Sequence, residues 1–386
     1  MILKACRASL RWALAAAIAL PGALFATAAG VPDELGAEIA RRGLDPARIL
    51  RPMAIDGEMR SWLAGRVPEG PPEERLKALL AALIDSEGLG LRYSSGSTLT
   101  ASEAFDGRQG NCLSFTHLFV ALARELGLDV YYVEVRRTPR FEQDGDLVVV
   151  WEHVTAGFGP EGERLLLEFG SAPPVTSQTS RRLSDLTAVA MHYSNRGAEL
   201  LREGRREEAL EWLRTAVALD SAWAHAWVNL GVAKRRSGDL EGAEAAYRRA
   251  IEADPRSLQP YFNLAGLLRS RGDRDAAHDL LVLLQRQDSR DPFVPLALGD
   301  GYLVEGRLDE ARRFYARAVL LAPAAAEPRS AMGLWALEAG HRKRAERALS
   351  RARTRSGKGP RYERLLHALT GAESTTGAPP EPRGAR

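Results

Sequence analysis

Trp227-Val228-Asn229-Leu230-Gly231, followed by Gly238, Ala243, Tyr247, Ala250 and Pro255, is the stretch whose reading decides the fold. Its small and aromatic positions recur along the chain at a spacing of 34 residues. Gly204, Gly238, Gly272, Gly306 and Gly340 are in step, and so are Ala209, Ala243, Ala277, Ala311 and Ala345. Gly197, Gly231, Gly299 and Gly333 keep the same register, with Ala265 in the third slot. A fixed period of this length marks a stack of supersecondary units, each unable to bury its apolar faces alone. The glycines of the Gly238 series suit the turn between two helices. The small residues of the Gly231 series let those helices approach closely. Tyr247 and Tyr315 are expected to fill the gaps between hairpins. In the third unit Leu281 and Leu284 stand where the second has Tyr247 and Ala250, which predicts looser packing there.

This array resembles the tetratricopeptide repeat at nearly every signature position. The resemblance implies about five helical hairpins over residues 188–355, coiled into a right-handed superhelix with a concave groove for a protein or peptide partner. Trp212, Trp223, Trp227, Tyr261 and Trp335 are candidates to line that groove, with packing inside the array as the alternative for most of them.

Upstream, the periodicity changes. Glu73 to Ile84 carries Leu76, Leu79, Leu80 and Leu83 at helical spacing. Thr100-Ala101-Ser102-Glu103-Ala104-Phe105 reads as a capped helix start. From Cys112 to Leu126 the pattern is helical again, with Leu118, Phe119, Leu122 and Leu126 on one apolar face and Gly127 as the stop. Three strand-like runs follow, Val130 to Val135, Leu147 to Ala156 and Arg164 to Phe169. Asp144 and Asp146 read as hairpin-loop residues.

This layout puts Cys112 at a helix N-terminus behind Gly110, where first-turn N–H groups and the helix dipole favour a thiolate. His153 falls on the second strand-like run and Glu168 on the third. A thiol, an imidazole and a carboxylate are the groups that thiol-based acyl transfer needs. His117 shares the helix of Cys112 but points to another side, so it reads as packing or surface. Glu152 faces away from His153 along the strand.

Gly110-Asn111-Cys112-Leu113-Ser114-Phe115, then Ala121 to Leu128, then His153 and a carboxylate 15 residues later, resembles the transglutaminase-like cysteine-protease superfamily, most closely its bacterial branch. The likeness covers roughly residues 70–175. It implies an α+β fold of the papain/transglutaminase-like type, a central helix packed on an antiparallel sheet, followed by an all-α tetratricopeptide solenoid. It also implies Cys112 as nucleophile, His153 as general base and Glu168 as the third member, with no metal or organic cofactor. Glu168 stands where the family has Asp. Asn111 and Leu113 flank the cysteine where the animal enzymes have Gln and Trp, so their substrate preference does not carry over. The Cys112 N–H is the first candidate oxyanion donor, with Gln109 and Asn111 as side-chain candidates.

Charge and composition set the remaining bounds. Lys and Arg number 53 and Asp and Glu 50 in 386 residues, with 45% hydrophobic residues, an ordinary globular balance. Such a balance gives no field for non-specific nucleic-acid binding. The two cysteines, Cys6 and Cys112, form no disulfide framework. Lys4, Arg7 and Arg11, the apolar run Trp12 to Phe25 and Ala26-Thr27-Ala28 read as a signal peptide over residues 1–28, with an uncleaved anchor as the alternative. The expectation is therefore a periplasmic or secreted protein with no stable membrane span after cleavage. It has a transglutaminase-like domain over 32–185 and a disordered tail over 371–386. The functional reading is a cysteine hydrolase or acyltransferase acting on amide bonds. The alternative is a non-enzymatic scaffold in which that domain only binds.

Overall fold

The structure, a computed structural model, describes residues 33–94, 96–135, 141–144, 147–150, 153–160, 165–167, 180–286, 292–355 and 360–370. The signal peptide and the C-terminal tail expected from the sequence lie outside these residues. Two compact units divide the chain. The first takes in the described residues up to Arg137, Glu152–Glu199 and Ala218–Asp220; the second takes in those of Thr138–Trp151, Leu200–Val217 and Ser221–Arg386. Among the described residues no helix is long and apolar enough to cross a membrane.

The first unit begins with three helices, α1 (Glu34–Arg41), α2 (Gly57–Leu63) and α3 (Pro72–Ile84). Asp33 and Asp56 cap the first two, accepting from the Gly36 and Met59 N–H groups. The periodic leucines of α3 are all buried. Strand β1 (Arg92–Tyr93) precedes α4 (Ala101–Gly107), which opens on a complete capping box between Thr100 and Glu103. Strand β2 (Gln109–Gly110) then pairs in parallel with β1. Helix α5 (Cys112–Glu125) follows, with eleven consecutive residues from Leu113 to Ala123 buried. It is the central helix, and it ends at Gly127, which takes the left-handed conformation, as the sequence predicts.

Beyond α5 come β3 (Val130–Val135), β4 (Phe141–Asp144), β5 (Leu147–Val150), β6 (His153–Phe158), β7 (Leu165–Leu167), β8 (Ser180–Leu183) and α6 (Asp185–Arg202). Four of these strands form an antiparallel sheet in the order β7-β6-β3-β8, against which α5 packs. The first unit is thus α+β, a helix on an antiparallel sheet.

Two details differ from the sequence reading. The run Leu147 to Ala156 is not one strand. Val135 pairs with His153, which fixes β6 against β3, and Phe141–Val150 folds back on itself as the β4–β5 hairpin, with Asp144 opposite Leu147. Strand β8 carries Ser180-Arg181-Arg182-Leu183, a run with no apolar alternation. It is held by β3 pairing and by Arg181, whose Nε lies 3.1 Å from the carboxylate of Glu134, a residue only 1% exposed.

The second unit is the repeat array. Beyond α6 it contains α7 (Arg206–Leu219), α8 (Ala224–Arg236), α9 (Leu240–Ala253), α10 (Leu258–Ser270), α11 (Arg274–Arg286), α12 (Phe293–Val304), α13 (Leu308–Leu321), α14 (Ala326–Glu338), α15 (Arg342–Arg353) and α16 (Pro360–Thr370). The turns between paired helices carry Gly204, Gly238, Gly272, Gly306 and Gly340, all at φ between 73° and 87°. A Cβ on Gly231 would lie 2.5 Å from the Tyr247 ring, and one on Gly299 would lie 2.5 Å from that of Tyr315. In the third hairpin Ala265 and Leu281 replace the Gly–Tyr pair, and both are buried in one core with Leu284. The exchange pairs a larger small residue with a smaller large one and so roughly conserves volume. Trp223, Tyr261 and Trp335 pack inside the array, while Trp212 and Trp227 are half-buried. Helix α16 packs on α14 and α15. Its Arg361 reaches Asp300 and Glu327, and Leu365 fills the space beside Gly333.

Candidate functional site

Cys112 is the first residue of α5, and the chain enters that helix through a tightly built turn. Asn111 is the N-cap, its Oδ1 accepting from the Ser114 N–H at 3.0 Å. The Asn111 Nδ2 donates to the Thr98 hydroxyl at 2.8 Å, and the Ser114 hydroxyl accepts from the Leu99 N–H at 2.8 Å. Thr98 is anchored in turn by its N–H on Glu199, which pairs with Arg196. Gly110 has no room for a side chain, since a Cβ there would lie 2.7 Å from that of Ser114. These contacts fix the direction of the first helical turn, and with it the place of the thiol. The Cys112 N–H belongs to the first-turn donors, which point out of the helix end.

Tyr93 comes to the same place along a different route. The parallel bridge sets Tyr93 opposite Gly110, with the Ser94 N–H on the Gly110 carbonyl at 2.9 Å. The Tyr93 hydroxyl hydrogen-bonds the Cys112 thiol while its side chain stays 58% exposed. Its pKa is raised, first by partial burial and then by the neighbouring thiol. No local signal in the sequence marks Tyr93, because it is 19 residues from Cys112 and the β1–β2 bridge brings them together.

Thr116 links α5 to the sheet. Its hydroxyl donates to the Cys112 carbonyl at 2.7 Å and lies 3.4 Å from the Val154 carbonyl. Val154 follows His153, the first residue of β6. The next residue, Thr155, donates from its hydroxyl to the carbonyl of Leu167, the last residue of β7. Cys112 and His153 therefore start two elements that pack on one another. Glu168, the expected third member, lies outside the described residues. Gln109 is exposed on β2, and the Asn111 amide is engaged at the helix cap.

His117 is not at this site. Its ring is fully buried, with Nδ1 2.8 Å from the Tyr132 hydroxyl and the His192 ring 5.5 Å away. Burial holds both histidines below the ordinary range, His192 at about 4. Among the described residues no cluster of three His, Cys, Asp or Glu side chains is placed to hold a metal ion.

Residues 63–161 match the transglutaminase-like superfamily and residues 224–257 match the tetratricopeptide repeat. The chain therefore joins a transglutaminase-like core to a tetratricopeptide array. Superkiller protein 3 of Schizosaccharomyces pombe is 26% identical over 50% of this chain and 14% of its own length. A heat-shock protein cognate co-chaperone of Aspergillus fumigatus is 32% identical over 25% of this chain and 30% of its own. A TPR repeat-containing protein of Pseudomonas aeruginosa is 32% identical over 34% and 53%. The chain thus spans about half or less of each of these curated relatives. Among solved structures, a thermophilic TPR protein of Thermus thermophilus gives a TM-score of 0.39 at 22% identity, covering 47% of this chain and 98% of that one. A TPR protein with an unusual peptide-binding site gives 0.33 at 22% identity, over 46% and 91%.

Proposed function

We propose that the transglutaminase-like unit is a cysteine-dependent acyl-transfer enzyme, exported to the periplasm or beyond, and that the repeat array holds its polypeptide substrate or a protein partner. The observation that carries this reading is Cys112 as the first residue of a capped helix whose next turn meets the strand that His153 begins. In the proposed reaction the Cys112 sulfur attacks an amide carbonyl. Its proton passes to His153 and then to the leaving amine, leaving a thioester on Cys112. Water or a second amine then attacks the thioester, gives up its proton to His153, and restores the thiol. The Cys112 N–H stabilises the oxyanion of both tetrahedral states. Glu168 accepts a hydrogen bond from His153 and fixes its tautomer. Tyr93 donates to the thiolate before attack.

A second reading, a non-enzymatic scaffold, is favoured by the length of the array and by the likeness to a co-chaperone. Intact-mass analysis separates the two. Incubation of the full chain with a mixed pool of peptides is expected to leave a hydroxylamine-sensitive acyl adduct on Cys112. The adduct is absent in Cys112→Ala and much reduced in His153→Ala. An unmodified Cys112 throughout supports the scaffold.

A further inference from the structure

The even charge balance of the chain conceals an uneven distribution. In the first four hairpins the second helix, α7, α9, α11 or α13, carries two or three basic residues against two or three acidic ones. Each of these helices also has an Asp or Glu in its first turn, where negative charge suits the helix dipole. Helix α15, the second helix of the fifth hairpin, departs on both counts. It carries six basic residues and one acidic one. Its first turn holds Arg342, Lys343 and Arg344, with no acidic residue and no side-chain cap. All six basic residues are exposed, while Ala345, Leu349 and Ala352 are buried in the core of the array.

This pattern costs helix stability. Three cations sit at the positive end of the dipole. Lys343, Arg347 and Arg351 follow one another at i, i+4 spacing, where like charges repel. The ion pair that α15 makes among the described residues, Arg342 with Glu346, is exposed on both sides. On α14, Arg329 adds to the same field: desolvation lowers its pKa first, and then the charges of Arg355 and Arg351. Its Nε is buried with no hydrogen-bond partner among the described residues. A local rule broken on an exposed face, with one carboxylate for six cations, marks a surface made for an external anion.

Two features select the class of anion. Five of the six cations are Arg, whose guanidinium matches phosphate oxygens bidentately. The exposed positions of α15 hold only charged residues and Ser350, so the face lacks the apolar or aromatic anchor that centres a protein–protein interface. A bilayer surface needs no such anchor, because anionic headgroups attract Lys and Arg from the water side. We propose that the exposed face of α15 docks the chain on an anionic phospholipid surface, its headgroup phosphates held by Lys343, Arg347, Arg351 and their neighbours. Such docking needs no spanning helix, and among the described residues no helix is long and apolar enough to be one. The inference goes beyond the acyl-transfer reading and does not depend on the chemistry at Cys112.

Co-sedimentation of the full chain with lipid vesicles tests it. Phosphatidylcholine vesicles containing about one-third phosphatidylglycerol are expected to bind the chain roughly tenfold or more tighter than phosphatidylcholine alone. The gain is expected to vanish in roughly 0.5 M salt, where screening leaves only the shortest contacts. The triple change Lys343→Glu, Arg347→Glu and Arg351→Glu is expected to abolish the gain, and the three corresponding changes to Gln to reduce it. Arg41→Glu, Arg42→Glu and Arg48→Glu together alter the net charge equally at exposed positions of the first unit, and that chain is expected to bind like the parent. Far-UV circular dichroism checks that each variant keeps its helices. Equal binding to both kinds of vesicle, or equal losses from the two charge-reversed chains, overturns the inference. So does complete displacement from the vesicles by duplex DNA at matched phosphate concentration, which assigns the face to nucleic acid. None of these outcomes bears on acyl transfer by Cys112.

Discussion

Gly231 and Tyr247 show how a single atom is rationed in this fold. The ring of Tyr247 fills the space that a Cβ on Gly231 would take, whereas the equivalent positions of the third hairpin hold Ala265 and Leu281, both buried. Gly231→Ala is expected to cost about 1–3 kcal/mol by overpacking, read from urea unfolding. Adding Tyr247→Leu reproduces the third hairpin, so the double variant is expected to be more stable than the two single losses sum to. Strict additivity contradicts the compensation argument. At the thiol, a hydrogen bond to a charged group contributes about 1.5–3 kcal/mol when shielded and less when exposed. Tyr93 is half-exposed, so Tyr93→Phe is expected to raise the pH midpoint of Cys112 alkylation by about half to one unit. An unmoved midpoint removes Tyr93 from the site.

Among the elements, α5 owes its position to its two ends and to one hydroxyl in its second turn. Thr116→Val keeps the shape and removes the donor shared between the Cys112 and Val154 carbonyls. A loss of about 1 kcal/mol is expected, and a similar loss for Asn111→Ala, which strips the cap. Either variant unfolding like the parent in urea argues against this linkage. Helix α5 and the repeat helices were legible in the sequence because their signals are local: a cap, an apolar face, a glycine at each turn. Strand β8 was not, because Ser180-Arg181-Arg182-Leu183 becomes a strand only where Arg181 meets the buried carboxylate of Glu134. The run from Leu147 to Ala156 misled for a related reason: apolarity marks extended chain but does not say which strand each half pairs with. Of the site, the sequence showed Cys112 and its helix start. It did not show Tyr93 or Thr116, whose roles depend on a two-residue parallel bridge and on how α5 packs against β6.

For the molecule as a whole, the buried His117–His192 pair couples stability of the first unit to pH. Both are kept neutral in the folded chain, His192 down to about pH 4, while in the unfolded chain they protonate near 6.5. The stability is fully present above about pH 6.5 and is lost as pH falls toward 4, by about 3 kcal/mol from His192 alone. Thermal unfolding followed from pH 7 to 4 is expected to show this decline, and His192→Leu to flatten it. A profile unchanged by His192→Leu contradicts the assignment.

The proposed chemistry stands on Cys112 and His153 forming a working pair. The most direct measurement is the rate of Cys112 alkylation against pH in the full chain and in His153→Ala. An ordinary thiol titrates near pH 8.5, whereas one paired at a helix N-terminus reacts well below that. Substantial reactivity at pH 6 and an upward shift of the profile in His153→Ala are expected. A thiol that is inert, or that titrates near 8.5 in both proteins, contradicts it.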